Sequence, residues 1–229
     1  MQPPPTAPPQ AAASQAAGPA PLVSPTFAQV RQALQRPLPG FAAQRRMSPQ
    51  PRAGSERILD PALNCRHAGV LVLLYPGPTG KLTLVLTRRT ETVNHHRGQI
   101  SLPGGVVEAG ETFVAAALRE AYEELGVPSA AVEVLGVLSP VYIPHTGFCL
   151  HPVVGALSQR PAFIPCASEV AEVIEAPLCD LLDPATARCE TWDLQGQPTR
   201  VPFYAIGAHK VWGATAMILA ELTALLSEG

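Results

Sequence analysis

Gly105-Val-Val-Glu-Ala-Gly110-Glu111-Thr-Phe-Val-Ala-Ala-Ala-Leu118-Arg119-Glu120-Ala-Tyr-Glu123-Glu124-Leu125-Gly126-Val127 decides how this chain is read. From Thr112 to Leu125 the apolar residues Val114, Leu118, Ala121 and Leu125 recur at helical spacing and fall on one stripe. Glu120, Glu123 and Glu124, at i, i+3 and i+4, are expected together on the opposite face. Three carboxylates on neighbouring turns repel one another by about 0.2–0.5 kcal/mol per pair. Two of them stand in the last turn, where the helix dipole disfavours acids. A helix shaped for stability alone would carry Lys or Arg there. A divalent cation reverses the sign of that cost, because clustered carboxylate oxygens are the ligands that hard ions such as Mg²⁺ or Mn²⁺ require. Gly126 suits the left-handed position just past the helix, and Gly104-Gly105 lets the incoming backbone turn tightly and approach a ligand.

Outward from this helix the pattern becomes β-rich. Gly69–Leu74 and Lys81–Thr87 flank the turn sequence Pro76-Gly-Pro-Thr-Gly80 and read as a hairpin. Further strands are predicted at Val132–Leu138, Val141–Ile143, Cys149–Leu157 and Val201–Ile206, and a second helix at Ala214–Leu226. A mixed sheet between helices follows, an α/β or α+β sandwich. The globular domain is expected over residues 51–229. Residues 1–50 read as a Pro- and Ala-rich low-complexity tail, with Pro3, Pro4, Pro5, Pro8, Pro9, Pro19, Pro21 and Pro25 crowding its start. Ser24 or Thr26 would cap a short helix at 26–35, ended by Pro37 and Pro39.

The whole chain has 229 residues, 47% hydrophobic and only 15% charged, which suits one domain with an extension. A formal net charge of −2 gives no field that would attract nucleic acid or an anionic membrane, so the expected partner is a small molecule. The apolar runs fall far short of the ~20 residues a membrane helix needs. No secretory signal is read at Met1-Gln-Pro-Pro-Pro5, and a cytoplasmic location is expected. The lack of any acid before Glu56, with Arg31, Arg36, Arg45, Arg46 and Arg52 present, makes organelle targeting the minority alternative. Cys65, Cys149, Cys166, Cys179 and Cys189 are odd in number, scattered and free of any C-x-x-C pair. That usage predicts reduced, mostly buried thiols, and neither a disulfide framework nor a zinc site.

The opening stretch resembles the signature of the Nudix hydrolases, G-x5-E-x7-R-E-U-x-E-E-x-G-U, at every fixed position, with only the first U the small Ala121. The resemblance implies a Nudix α/β/α sandwich with a mixed sheet, and metal-assisted hydrolysis of a nucleoside diphosphate linked to another moiety. It implies Mg²⁺ or Mn²⁺ held by Glu120, Glu123 and Glu124 with help from the Gly105 carbonyl. Glu120 is expected to share ligand and base duty, Glu111 to orient the loop and Arg119 to pair with a neighbouring carboxylate. An acid from a later loop is the alternative base, and Glu169, Glu172 and Glu175 are eligible. A homodimer is compatible with the family.

Just upstream, Val85-Leu86-Thr87-Arg88-Arg89-Thr90, three residues, Asn94, three residues, Gly98, three residues, Leu102-Pro103-Gly104-Gly105 is similar to the signature of coenzyme A diphosphatases, L-L-T-x-R-[SA]-x3-R-x3-G-x3-F-P-G-G. It departs at Thr90, at Asn94, where the family carries a basic residue, and at Leu102. Val211-Trp-Gly-Ala-Thr-Ala216 also looks like that subfamily. The resemblance implies cleavage of coenzyme A to 4′-phosphopantetheine and adenosine 3′,5′-bisphosphate. Such a ligand carries about four negative charges, and Arg88, Arg89, His95, His96 and Arg97 form the densest basic cluster available to meet them. Arg89, Arg88, Arg97, His96 and the Gly104 backbone are therefore the expected substrate contacts, Arg89 first, since an Arg fork meets two phosphate oxygens at once. The alternatives are a Nudix hydrolase of ADP-ribose, NADH or a dinucleotide, and a catalytically silent Nudix binding domain.

Overall fold

Gly69-Val70-Leu71-Val72-Leu73-Leu74 is apolar without alternation, the pattern of a strand covered on both faces. In the computed structural model, which describes residues 24–50, 65–90, 98–194 and 196–227, it forms the middle of a long strand. In chain order the elements are α1 (Phe27–Ala33), α2 (Phe41–Gln44), β1 (Arg66–Pro76), β2 (Leu82–Arg89), β3 (Ile100–Ser101), β4 (Gly104–Val106) and α3 (Phe113–Leu125). There follow β5 (Glu133–Val137), β6 (Val141–Ile143), β7 (Phe148–Ala156), β8 (Val170–Pro177), α4 (Leu178–Leu182), β9 (Ala187–Leu194), β10 (Gln197–Ile206), β11 (His209–Trp212) and α5 (Gly213–Ser227).

The main sheet runs β3-β2-β1-β7-β5, with β4 also paired to β1, β6 to β7 and β8 to β2. β1 and β7 are parallel from Arg66↔Phe148 to Leu74↔Ala156, and the other pairs are antiparallel, so the sheet is mixed. Alternate residues of β1 go to opposite layers. Leu71, Leu73 and Tyr75 pack with Ala117, Ala121 and Leu125 of α3. Val70, Val72 and Leu74 join a second core with Ile218, Leu219 and Leu222 of α5. A helix therefore covers each face. β9, β10 and β11 form a separate three-stranded antiparallel sheet.

Val30, Ala33 and Met47 belong to the α5 core, so the packed body includes residues N-terminal to the boundary read at 51. A buried polar contact holds them there: Glu221, wholly buried in α5, accepts from Gly40 N (3.1 Å), Gln44 Nε2 (2.8 Å) and Ser139 N (3.1 Å). Thr26 caps α1 through a reciprocal pair with Gln29. The tail at 1–23, and Asn94, His95, His96 and Arg97, lie outside the described residues. No helix among those described is long and apolar enough to cross a membrane.

The cysteines correct the reading of five free thiols. Cys65 and Cys149 are joined by a disulfide, 84 positions apart in sequence. The parallel register that pairs Arg66 with Phe148 and His67 with Cys149 brings them side by side, and nothing in their spacing announces it. Cys179 is buried, Cys166 half-buried and Cys189 exposed, all three free.

One close approach sets where α3 lies. A Cβ added to Gly69 would stand 2.3 Å from Phe113 O and 2.8 Å from Ala117 N, both backbone atoms that cannot swing aside. We expect Gly69→Ala to lift α3 from β1 and to cost about 1–3 kcal/mol, the usual range for overpacking. Thermal or denaturant unfolding measures this, and a variant as stable as the parent would show that the contact does not fix the helix.

Candidate active site

Thr112 starts α3 by accepting from Ala115 N (3.1 Å), and Gly126, at φ 70°, ends it. Between them the chain carries its acids past the Gly104–Val106 strand. A Cβ on Gly105 would come within 2.3 Å of Glu120 Oε1, so only a residue without a side chain leaves room for that carboxylate. Glu124 lies on the buried side, only 3% exposed, alongside Ala116, Ala117, Ala121 and Leu125. Val114 and Leu118 are half-buried. The acids are thus not gathered on a face opposite the apolar stripe: Glu123 is exposed, Glu120 is partly covered and Glu124 is inside. The cause is β4, which packs over one flank of α3 and shuts Glu124 in.

Burial pushes the Glu124 acid up to about 8, with the negative charges of Glu120 and Glu169 acting in the same direction. The Arg89 guanidinium and a backbone hydrogen bond from Gly104 oppose the rise. Burial also raises Glu120; Arg119 pulls it back, and Glu123 and Glu169 add to the rise. Glu124 Oε2 has no hydrogen-bond partner. A buried acceptor left unpaired costs about 1–3 kcal/mol, and here it faces further carboxylates. This donor set, all oxygen and anionic, suits a hard divalent cation, which would complete Oε2 and cancel the repulsion.

Arg119 braces the loop that enters α3. Its Nε and Nη2 grip Glu111 as a fork (3.0 and 3.1 Å), Nη1 reaches Glu120 (2.8 Å) and Glu123 (3.3 Å), and Nη2 also donates to Val106 O (3.0 Å). Glu111 accepts from Glu108 N as well (3.1 Å). Its acid is accordingly held below the ordinary carboxylate value, by Arg119 first, and the Arg119 guanidinium is held firmly charged.

Of the expected basic cluster, Arg88 and Arg89 are among the described residues, and these two separate. The β2–β8 register shifts between Arg88 and Arg89. Arg88 Nε is taken by Glu172 (2.9 Å), which also meets His209 Nε2 (3.1 Å), so Arg88 is engaged on β8 and does not join Arg89. Arg89 instead acts on Glu124, and its buried Nε has no partner. Gly104, read as a substrate contact, spends its amide on Glu124.

The three acids of the later segment, equivalent in sequence, are not equivalent in space. Glu175 is bound by Arg160 (2.8 and 2.7 Å) and Tyr75 (3.1 Å), and Glu172 by Arg88 and His209. Glu169 is the one whose charge reaches Glu120 and Glu124. Thr90 holds it beside the end of β2, donating through N to Glu169 O and through Oγ1 to Ser168 O, both at 3.0 Å.

Comparison with known proteins identifies the family. The family model described as the NUDIX domain matches residues 66–185, more than half of the chain. A protein of Photorhabdus laumondii named Uncharacterized Nudix hydrolase NudL is 39% identical over 160 residues, 69% of this chain and 84% of its own length. A protein of the same name from Klebsiella pneumoniae is 41% identical over 164 residues, 70% of this chain and 83% of its own. Among solved structures, a Nudix hydrolase of M. smegmatis, RenU, is similar at 26% identity over 52% of this chain and 74% of that one, with a TM-score of 0.42. With the signature helix, the mixed sheet and relatives matched over most of their length, the chain belongs to the Nudix hydrolases, enzymes acting on phosphorus-containing acid anhydrides.

Proposed function

We propose that this Nudix hydrolase cleaves the diphosphate bond of coenzyme A or a coenzyme A derivative, with Glu120, Glu124 and Glu123 and the Gly105 carbonyl holding Mg²⁺ or Mn²⁺. The observation that carries the reading is Arg89 beside Glu124: a guanidinium with a free buried Nε stands against a carboxylate with an unpartnered oxygen. An anionic ligand and a cation together would satisfy both. The coenzyme A assignment rests on the resemblance of Val85–Gly105 to the diphosphatase signature. A cytoplasmic setting belongs to the same reading.

When bound, the metal supplies Lewis-acid polarisation of phosphoryl oxygens and a more acidic water. The chain's own residues do the rest. Arg89 binds the diphosphate by its fork, Arg119 and Glu111 keep the Gly105–Glu111 loop against α3, and Glu169 accepts the proton of the attacking water. Glu169 is preferred to Glu120 because Glu120 is already tied to Arg119. It is preferred to Glu172 and Glu175 because both are held by arginines.

The deciding assay supplies coenzyme A, ADP-ribose, NADH and a dinucleotide with magnesium or manganese and identifies the products by mass. We expect 4′-phosphopantetheine and adenosine 3′,5′-bisphosphate to form with the highest kcat/KM, and faster turnover of any other substrate would overturn the assignment. Glu120→Gln and Glu169→Gln should each lower kcat at least about a hundredfold, with the midpoint of thermal unfolding kept. Arg89→Ala should reduce kcat/KM for coenzyme A and its 3′-dephospho form by equal factors, because the residue stands at the diphosphate. A loss confined to coenzyme A would move Arg89 to the 3′-phosphate.

The buried acid also gives a pH signature. Without metal, the fold binds the Glu124 proton more tightly than the unfolded chain does. That contribution to stability is complete below the ordinary carboxylate value and is lost as pH rises through about 8. In a chelator the unfolding midpoint should fall as pH rises from about 5 to about 8 and level off above that, and Glu124→Gln should flatten the fall. Identical slopes in parent and variant would remove Glu124 from the account.

A further inference from the structure

At the other end of α3, about two turns from Glu120, lies a second group of ligating side chains. Cys65 and His67 enter β1 as Cys-x-His, and Cys149 and His151 enter β7 as Cys-x-His. The parallel register sets His67 against Cys149 and Gly69 against His151. The two-residue step of a strand then turns all four side chains to the face that α3 covers. The two sulfurs and a His67 nitrogen lie within 4.8 Å of one another. His67 Nδ1 is 2.9 Å from His151 Nε2. Cys149 is buried, Cys65 and His151 are half-buried and His67 is open to solvent. Phe113, the first residue of α3, stacks flat on His151 at 3.6 Å between ring centroids.

We propose that in the reduced protein Cys65, His67, Cys149 and His151 form a Cys₂His₂ site for a tetrahedral transition-metal dication, zinc by preference, and that the disulfide is the metal-free alternative of the same cluster. Two thiolates and two imidazoles are the donor set of closed structural zinc sites. With bonds of about 2.3 Å to sulfur and 2.0–2.1 Å to nitrogen, the ligand atoms of such a tetrahedron stand about 3.3–3.8 Å apart. The sulfurs must part from bonding distance, the imidazoles open from 2.9 Å, and His151, which stands outside the 4.8 Å group of the other three, swing in towards the sulfurs, with no change of strand register. The metal would tie β1, β7 and the start of α3 together, distant from the glutamates that serve catalysis.

The site requires the dithiol. A phosphine reductant supplies it: phosphorus gives two electrons to the S–S bond and takes the oxygen of one water, whose two protons end on the sulfurs. The thiols release those protons as they bind the dication. The test titrates the full chain, reduced in this way, with cobalt and then zinc. We expect one tightly held cobalt per chain, with sulfur-to-metal charge-transfer absorption and the intense d–d bands of tetrahedral geometry, displaced by an equivalent of zinc. The oxidised protein should show neither band. Cys65→Ser should abolish the charge-transfer band or cut it by half. His67→Ala should weaken zinc at least about tenfold in competition with a chromophoric chelator, since even a lost second-shell partner costs that much. Glu124→Gln should leave both bands in place. A reduced parent protein with only weak, octahedral cobalt spectra overturns the proposal, as does a charge-transfer band at full strength in Cys65→Ser. Should a cysteine variant fail to fold, the spectra of the reduced parent decide.

Discussion

The distance between α3 and the sheet governs the rest of this molecule. A helix normally packs on a strand through side chains on both partners. Here β1 presents no side chain at Gly69, and β4 none at Gly105, so the helix backbone comes down onto the sheet and its carboxylates come within reach of the strand backbone. That closeness explains why Glu124 is shut in while Glu123, one residue before it, remains in solvent. It also explains why Gly104 N–H can reach a helix carboxylate at all. The placement of Glu120 and Glu124 is therefore a product of backbone packing as much as of sequence spacing.

Packing carboxylates together costs free energy, and Arg119 offsets part of the cost. One guanidinium touches Glu111, Glu120 and Glu123 and holds the Val106 carbonyl besides. The surrounding side chains are a quarter or less exposed except for Glu123, so these contacts are better shielded than a surface pair worth about 0–1 kcal/mol. Glu124 has no bond from that arginine, and burial pushes its acid up to about 8. The imbalance leaves an oxygen without a partner at the place where the chain brings Arg89.

Much of this was legible in the sequence. The hairpin of Gly69–Leu74 with Lys81–Thr87 appears as β1 and β2, and the Thr112–Leu125 and Ala214–Leu226 periodicities as α3 and α5. The uninterrupted apolar run of β1 announced its burial on both faces. What escaped had no local signal. β9 is exposed along most of its length, so its residues carry no buried alternation to detect. β8 interleaves glutamates with valine and isoleucine, and reads equally well as an acidic loop, because its glutamates are neutralised by Arg88 and Arg160 from other elements. The burial of Glu124 was hidden for a related reason. Helical periodicity locates a face, but which face is covered depends on β4, and a three-residue strand containing two glycines has no pattern of its own.

The same limit applies to the cysteines and histidines, and there it is instructive. Ligand spacing rules look for pairs close in sequence, as in C-x-x-C, because a single loop or helix then aims both side chains at one point. A parallel strand pair does the same work across 84 residues, since register alone makes Cys65-x-His67 and Cys149-x-His151 neighbours. Each half read alone is an unremarkable Cys-x-His. The informative feature is the repetition of that dipeptide spacing in two strands that the fold makes adjacent. α3 is thereby held at both ends by polar chemistry, carboxylates against the β4 backbone at one and the Cys/His group under Phe113 at the other, while the apolar contacts between fill the interval.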